Sequence, residues 1–188
     1  MISGIHIEYR VGNVPSGDDT LERMSVAFER AGAELADFGS HVFPKMVPVF
    51  EAEVARQFDA QGRGPNTGSW AELSPAYGEW KGENYPGAPI LVREGALRDA
   101  LIDSNAPGAF RDFSQAELNY GTQGLPYASF HQSGTSKMPD RPPFDFTGDF
   151  ERDVERVALE GAREAIHASG ADEFVSESIG SDVEEFLG

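Results

Sequence analysis

The sequence predicts an α+β fold, in which two or three amphipathic helices flank a small, mostly antiparallel β-sheet, with a long aromatic loop and a C-terminal arm. Three observations support this class. Apolar residues recur at helical spacing in two long segments, two short segments at 108–114 and 115–121 have strand character, and the first residues alternate between apolar and polar. The length of 188 residues suits one domain over 1–168, followed by an arm over 169–188.

The N-terminal part is predicted to hold a strand and then a long helix. Ile5, Ile7 and Tyr9 alternate with polar residues, which is the pattern of a half-buried strand. The helix is predicted from apolar residues at spacings of three and four. These are Leu21, Met24, Phe28, Ala31, Leu35, Phe38 and Val42. We expect this helix to pack within its own domain, and a coiled coil is the alternative.

A second helix is predicted after the first, because Pro44 and Pro48 suit its first turn. Its apolar face consists of Met46, Phe50, Val54 and Phe58. The last helix of the domain is predicted from a further apolar stripe, made of Phe150, Val154, Val157, Ala158, Ala162, Ala165 and Ile166.

Residues 62–89 are predicted to form a long loop, because turn-forming glycine, proline and asparagine are frequent there. The loop carries Trp70, Tyr77, Trp80 and Tyr85. Long loops in compact domains are usually functional or ordered by a partner. These aromatic side chains therefore either serve an interface or fold back as a small additional core.

The C-terminal arm combines acidic residues with an apolar stripe. Residues 169–188 hold six acidic residues and no basic one. The apolar residues at helical spacing are Val175, Ile179, Val183, Phe186 and Leu187. A short helix of this kind is marginal in isolation, so we expect an inter-subunit arm that docks on another copy. A frayed acidic tail is the alternative.

Composition excludes several classes of function. The chain has 15 basic and 32 acidic residues, a formal net charge of −17, which disfavours tight binding to nucleic acid. It has no cysteine, so disulfides, thiolate metal sites and cysteine nucleophiles are excluded. Neither an apolar run of transmembrane length nor a signal-peptide pattern is found, and we expect a protein made in the cytosol, with no membrane.

The stretch YASFHQSGTSKMPDRPPFDF contains the one histidine that resembles a catalytic base. His131 lies two residues from both Ser129 and Ser133, and this spacing does not bring side chains together as a nucleophile and base require. The four histidines are scattered and no metal-binding or phosphate-binding motif is found. We therefore expect no catalytic site, no metal and no cofactor. A hydrolase using His131 is the less favoured alternative.

Several motifs, taken in order, resemble the phage virion morphogenesis family, which includes Mu G protein-like tail proteins. They are the GRG turn from Gly62, WAELSPAYGEWK from Trp70, ILVREGALRDAL from Ile90, YASFHQSGT from Tyr127 and PDRPPF from Pro139. The residues that match the family pattern are Trp70, Leu73, Tyr77, Lys81, Ile90, Leu91, Gly95, Leu97, Tyr127, Ala128, His131, Gln132, Gly134, Arg141 and Phe144. Pro143 is an extra proline in the last motif.

The resemblance implies a structural protein of the neck or head-proximal tail of a bacteriophage virion, without enzymatic activity. The subunit would be a tail-completion or tail-terminator protein. Copies would form a ring, expected to be a hexamer, that joins the major tail tube protein to the head-tail connector. DNA would pass through the lumen without specific binding. A capsid-side head-completion or adaptor protein is the alternative within this class.

Overall fold

The computed structural model describes residues 18–66 and 68–173. The predicted N-terminal strand lies outside the described residues. So does the apolar stripe of the arm, which comprises Val175, Ile179, Val183, Phe186 and Leu187.

The described residues form seven helices and one antiparallel β-hairpin, which confirms the α+β class. In chain order the elements are α1 (Asp18–Ala36), α2 (Phe38–His41), α3 (Phe43–Asp59), α4 (Pro75–Asn84), α5 (Ala96–Ile102), β1 (Ala109–Phe113), β2 (Leu118–Thr122), α6 (Ala128–Ser133) and α7 (Gly148–Ser169). None of the helices within these ranges is long and apolar enough for a membrane span.

The predicted first helix ends earlier than its apolar pattern indicates. Asp37 interrupts it and caps α2, where its side chain accepts a hydrogen bond of 3.1 Å from the backbone N–H of Ser40. The prediction of one continuous helix to Val42 is therefore wrong, because the local cap competes with helix continuation.

The buried face of α1 agrees with the predicted one at Ala31 but differs at its larger apolar residues. Ala27 and Ala31 are buried, whereas Phe28 and Leu35 remain 49% and 39% exposed. The two alanines pack with Ala171, which follows α7, and small residues of this kind allow the two helices to approach closely. Phe28 and Leu35 consequently lie outside the core, whereas Met24 packs against the alanine cluster.

The main core lies between α3, α5 and the segment that follows α3. Val54, Phe58, Trp70, Leu97 and Leu101 are all less than 5% exposed and form one cluster. The ring of Phe58 meets that of Trp70 edge-on at a centroid distance of 5.3 Å. The predicted inner face of the second helix is thus confirmed at Val54 and Phe58.

A buried polar network joins α3 to the start of α7. Glu53 and Gln57 are fully buried, and Glu53 accepts hydrogen bonds from Arg56 at 2.9 Å and from Thr147 at 3.1 Å. The amide of Gln57 donates to the carbonyl of Asp145 at 2.7 Å. Buried polar groups are costly unless they are paired, so this network fixes the segment before α7 against α3.

Residues 62–89 are not a continuous loop, because α4 occupies ten of them. Pro75 lies in the first turn of α4, where its missing N–H costs nothing. Trp70 enters the core, whereas Tyr77 and Trp80 of α4 stack on each other at 5.5 Å and stay more than 40% exposed. Trp70 therefore packs in the main core rather than in a small additional one, and an interface role for the exposed Tyr77 and Trp80 stays a prediction.

The β-hairpin follows α5 and is held to the helices by Arg111. β1 pairs with β2 from Ala109 opposite Thr122 to Phe113 opposite Leu118, which confirms the two predicted strands. The guanidinium of Arg111 donates to the carbonyls of Ala100 and Leu101 at 3.2 and 3.0 Å. These bonds satisfy carbonyls at the end of α5 that have no partner within the helix.

Candidate functional site

A pocket of about 660 Å³ lies between α4, the segment 91–97, α6 and the segment 137–141. Leu73, Leu91, Leu97 and Met138 supply its apolar wall. A volume of this size falls in the range of ligand-binding and peptide-binding clefts. We call it the motif pocket, because residues of the family-like motifs dominate its lining.

Nine of the fifteen residues that match the family pattern line the motif pocket. They are Leu73, Tyr77, Lys81, Leu91, Gly95, Leu97, Tyr127, His131 and Arg141. The other six do not line the pocket, and they are Trp70, Ile90, Ala128, Gln132, Gly134 and Phe144. Residues that are far apart in the sequence are thus brought together on one surface feature.

Arg141 ties the pocket to the segment before α4. Its side chain is 4% exposed, and it donates to the carbonyl of Ala71 at 2.7 Å and to that of Glu72 at 2.8 Å. Hydrogen bonds from a charged donor are shorter and stronger than neutral ones. Burial lowers the pKa of Arg141, an effect that Glu72 and Tyr77 oppose. The guanidinium is therefore committed to holding the chain in place.

Gln132 and Trp70 make similar contacts behind the pocket wall. The side chain of Gln132 bonds Phe144 in both directions, donating to its carbonyl at 2.9 Å and accepting from its N–H at 3.2 Å. The indole N–H of Trp70 donates to the carbonyl of Pro142 at 3.2 Å. The polar groups of these motif residues are used to fix the backbone.

Gly134 ends α6 with a left-handed φ of 68°. A Cβ at this position would lie 2.9 Å from the backbone nitrogen of Asp140, so only glycine fits without a shift of the chain. The extra Pro143 is buried and lies in this returning segment. The motif glycine therefore has a structural reason.

Lys81 is the second buried cation at the pocket. Its ammonium group donates to the carbonyl of Pro89, and the residue is 4% exposed. Burial and the nearby charge of Arg141 both lower the pKa of Lys81. The bond fixes α4 to the segment that leads into the pocket wall.

His131 lines the pocket with its imidazole ring edge-on to Tyr127, at a centroid distance of 6.1 Å. Burial and the charge of Arg141 lower the pKa of His131 below its ordinary value of 6.5, so the ring is neutral at pH 7. Its Nδ1 is buried and has no hydrogen-bond partner among the described residues.

A triad requires a carboxylate on the ring nitrogen that faces away from the nucleophile. The buried Nδ1 of His131 has no such partner in the described part of the chain. Ser129 donates instead to the carbonyl of Pro126 at 3.3 Å. The described residues also contain no group of three or more metal-ligating side chains that could hold an ion.

The charges at the rim of the pocket are not apparent from the sequence. Arg93 and Lys137 line it together with Lys81 and Arg141, against the two acidic residues Glu72 and Glu94. This balance of 4 − 2 = +2 contrasts with a chain of net charge −17. One feature of the sequence does point to these charges. The chain has only 15 basic residues, and several of them, including Arg93 and Lys137, fall within or beside the motifs.

Comparisons of this chain with protein-family models, with curated proteins and with solved structures return no match.

Proposed function

We propose that this chain is a structural bacteriophage protein of the virion neck, a tail-completion or tail-terminator subunit that forms a ring between the tail tube and the head-tail connector. The observation that carries the proposal is the use made of the motif residues. The polar groups of Trp70, Gln132 and Arg141 are hydrogen-bonded to backbone carbonyls or amides. This arrangement suits a framework that presents a surface, and it leaves these groups committed rather than poised for chemistry.

Exposed apolar side chains on two sets of elements support assembly into a ring. One set lies on α1, α2 and β1 and comprises Phe28, Leu35, Phe38, Phe110 and Phe113. The other lies on α4 and around α6 and comprises Tyr77, Trp80, Tyr127 and Phe130. Closed rings use heterologous interfaces, in which one patch meets a different patch on the neighbour. Exposed aromatic residues are also enriched at such interfaces.

The net charge supports the position around a DNA channel. A ring of subunits that each carry −17 would repel DNA phosphates from its lumen and let the DNA pass without adhering. The partners on this proposal are further copies in a hexameric ring, the tail tube protein and the connector. A head-completion protein on the capsid side would share these features, and the experiment below separates the two.

A phage that lacks this chain tests the proposal directly. We expect its lysates to contain DNA-filled heads and separate tails, and we expect purified protein to restore infectivity when it is added to the tails. Restoration by addition to heads instead would indicate the capsid-side protein. Complete, infectious particles formed without the chain would refute both assignments.

A further inference from the structure

The motif pocket is a local exception to the charge of the chain. Its rim carries Arg93 and Lys137, which are exposed, and only Arg93 is paired, to Glu94 at 3.3 Å. Lys137 has no ion pair among the described residues. An exposed cation beside an apolar wall favours an occupant that combines carboxylates with apolar side chains.

The apolar wall of the pocket lies directly beside these cations. Met138 adjoins Lys137 in the chain and lines the pocket with Leu73 and Leu91. Methionine adapts its shape to different apolar partners and is frequent on binding surfaces. Leu91 adopts a left-handed φ of 61°, which a branched side chain rarely takes. Strained residues of this kind concentrate at functional sites.

A segment of the required chemistry lies in the same chain. Residues 174–188 contain four carboxylates and no basic residue, so they oppose the charge of the pocket rim. Phe186 and Leu187 follow Glu184 and Glu185 directly, and acidic and apolar groups are therefore adjacent. This juxtaposition matches that of Lys137 and Met138 in the pocket.

The origin of this segment favours a second copy as its acceptor. α7 starts at Gly148, seven residues after pocket-lining Arg141, and its 22 residues extend about 33 Å. Its far end packs on α1, where Arg23 and Glu173 pair at 3.6 Å. Fifteen further residues span about 50 Å at most. Reaching the pocket of the same copy would require the segment to return along the whole of α7.

We propose that the motif pocket binds residues 174–188 of a neighbouring copy, with Phe186 and Leu187 against the apolar wall and Glu184 and Glu185 near Lys137 and Arg93. The inference deepens the proposed ring by naming the contact that links successive subunits. It rests on that proposal only for the closure of the ring, because the pairing of arm and pocket can be tested on the purified chain alone.

Photo-crosslinking of the full-length chain tests the pairing. Phe186 is replaced by the photo-reactive residue p-benzoylphenylalanine in an equal mixture of ¹⁴N- and ¹⁵N-labelled protein, and the crosslinked peptides are mapped by mass spectrometry. We expect crosslinks from position 186 to the peptide that contains Met138, joining light and heavy chains. The same photo-reactive residue at Leu159, which is exposed on α7 and belongs to neither apolar patch, should not reach that peptide.

Charge reversal at the rim tests the electrostatic part. Lys137→Glu should lower the crosslink yield at low salt about fivefold, as expected when an attraction of about 1 kcal/mol is lost. Arg152→Glu, at an exposed site on α7 outside the pocket, should leave the yield unchanged. Added salt should weaken the wild-type crosslink by screening.

Each contrary result overturns the pairing. Crosslinks confined to chains of one isotope would place the arm in the pocket of its own copy. Crosslinks to a different surface of a second copy, or none at all, would exclude the pocket as acceptor. These results leave the complementation of phage lacking the chain as a separate test, so a failed pairing and a failed ring function are distinguishable.

Discussion

Replacing Arg141 with methionine tests whether the motif residues form a structural framework. The substitution keeps an apolar stem of similar length and removes the donors that serve the carbonyls of Ala71 and Glu72 at 2.7 and 2.8 Å. Each hydrogen bond from a charged donor contributes about 1.5–3 kcal/mol. Since both carbonyls belong to exposed residues and can be partly rehydrated, we expect a total loss of about 3 kcal/mol.

The loss can be measured by urea denaturation, followed by tryptophan fluorescence and by circular dichroism. For a chain of this size, 3 kcal/mol corresponds to a fall in Tm of about 6–12 °C. Arg98→Met is the matched control, because Arg98 makes one ion pair of 3.6 Å with a half-exposed partner and should cost less than about 0.5 kcal/mol. Equal losses in the two variants would refute the framework role of Arg141.

Further predictions concern a helix contact and a pH dependence. Gly161→Ala should destabilise the fold by about 1–3 kcal/mol in the same assay, because a Cβ there would lie 2.8 Å from the carbonyl oxygen of His41. Gly32→Ala in α1 meets nothing within 4 Å and should stabilise it by about 1 kcal/mol; a gain at both sites would exclude the close contact. Folding lowers the pKa of His131. As the pH falls through about 6.5, its imidazole is therefore protonated in the unfolded chain before it is protonated in the folded one, which favours unfolding. Stability should therefore drop more steeply between pH 7.5 and 5 in the wild type than in His131→Gln, and parallel pH profiles would contradict the burial of this ring.

The spacing of apolar residues and the positions of turn-forming residues predict much of the fold from the sequence. The alternation around Leu118 and Tyr120 predicts the hairpin, and the apolar face of the second helix correctly places Val54 and Phe58 in the core. The first helix shows the limit of this approach. Its heptad-like pattern correctly counts Ala31 as core, but it also counts Phe28 and Leu35, which are exposed, and it omits Ala27, which is buried. A pattern cannot reveal how near the partner helix α7 lies.

The candidate site is predictable only in part, for a similar physical reason. The motifs indicate which residues belong together, but they do not show that Arg141 reaches back to Ala71 or that Lys137 lies at the same rim as Arg93. Such contacts depend on the return of the chain after α6. Gly134 permits this return by its left-handed φ, and Gln132 fixes it through hydrogen bonds to Phe144. Helix α4 was missed because its glycines and aromatic residues give it little amphipathic pattern.

Cryo-electron microscopy of the parent virion tests the central proposal most directly. The account predicts density for this chain as a closed ring at the head-proximal end of the tail, with residues 174–188 of each copy seated in the motif pocket of the next. Density for the chain in the capsid lattice, or a virion without it, would contradict the proposed function.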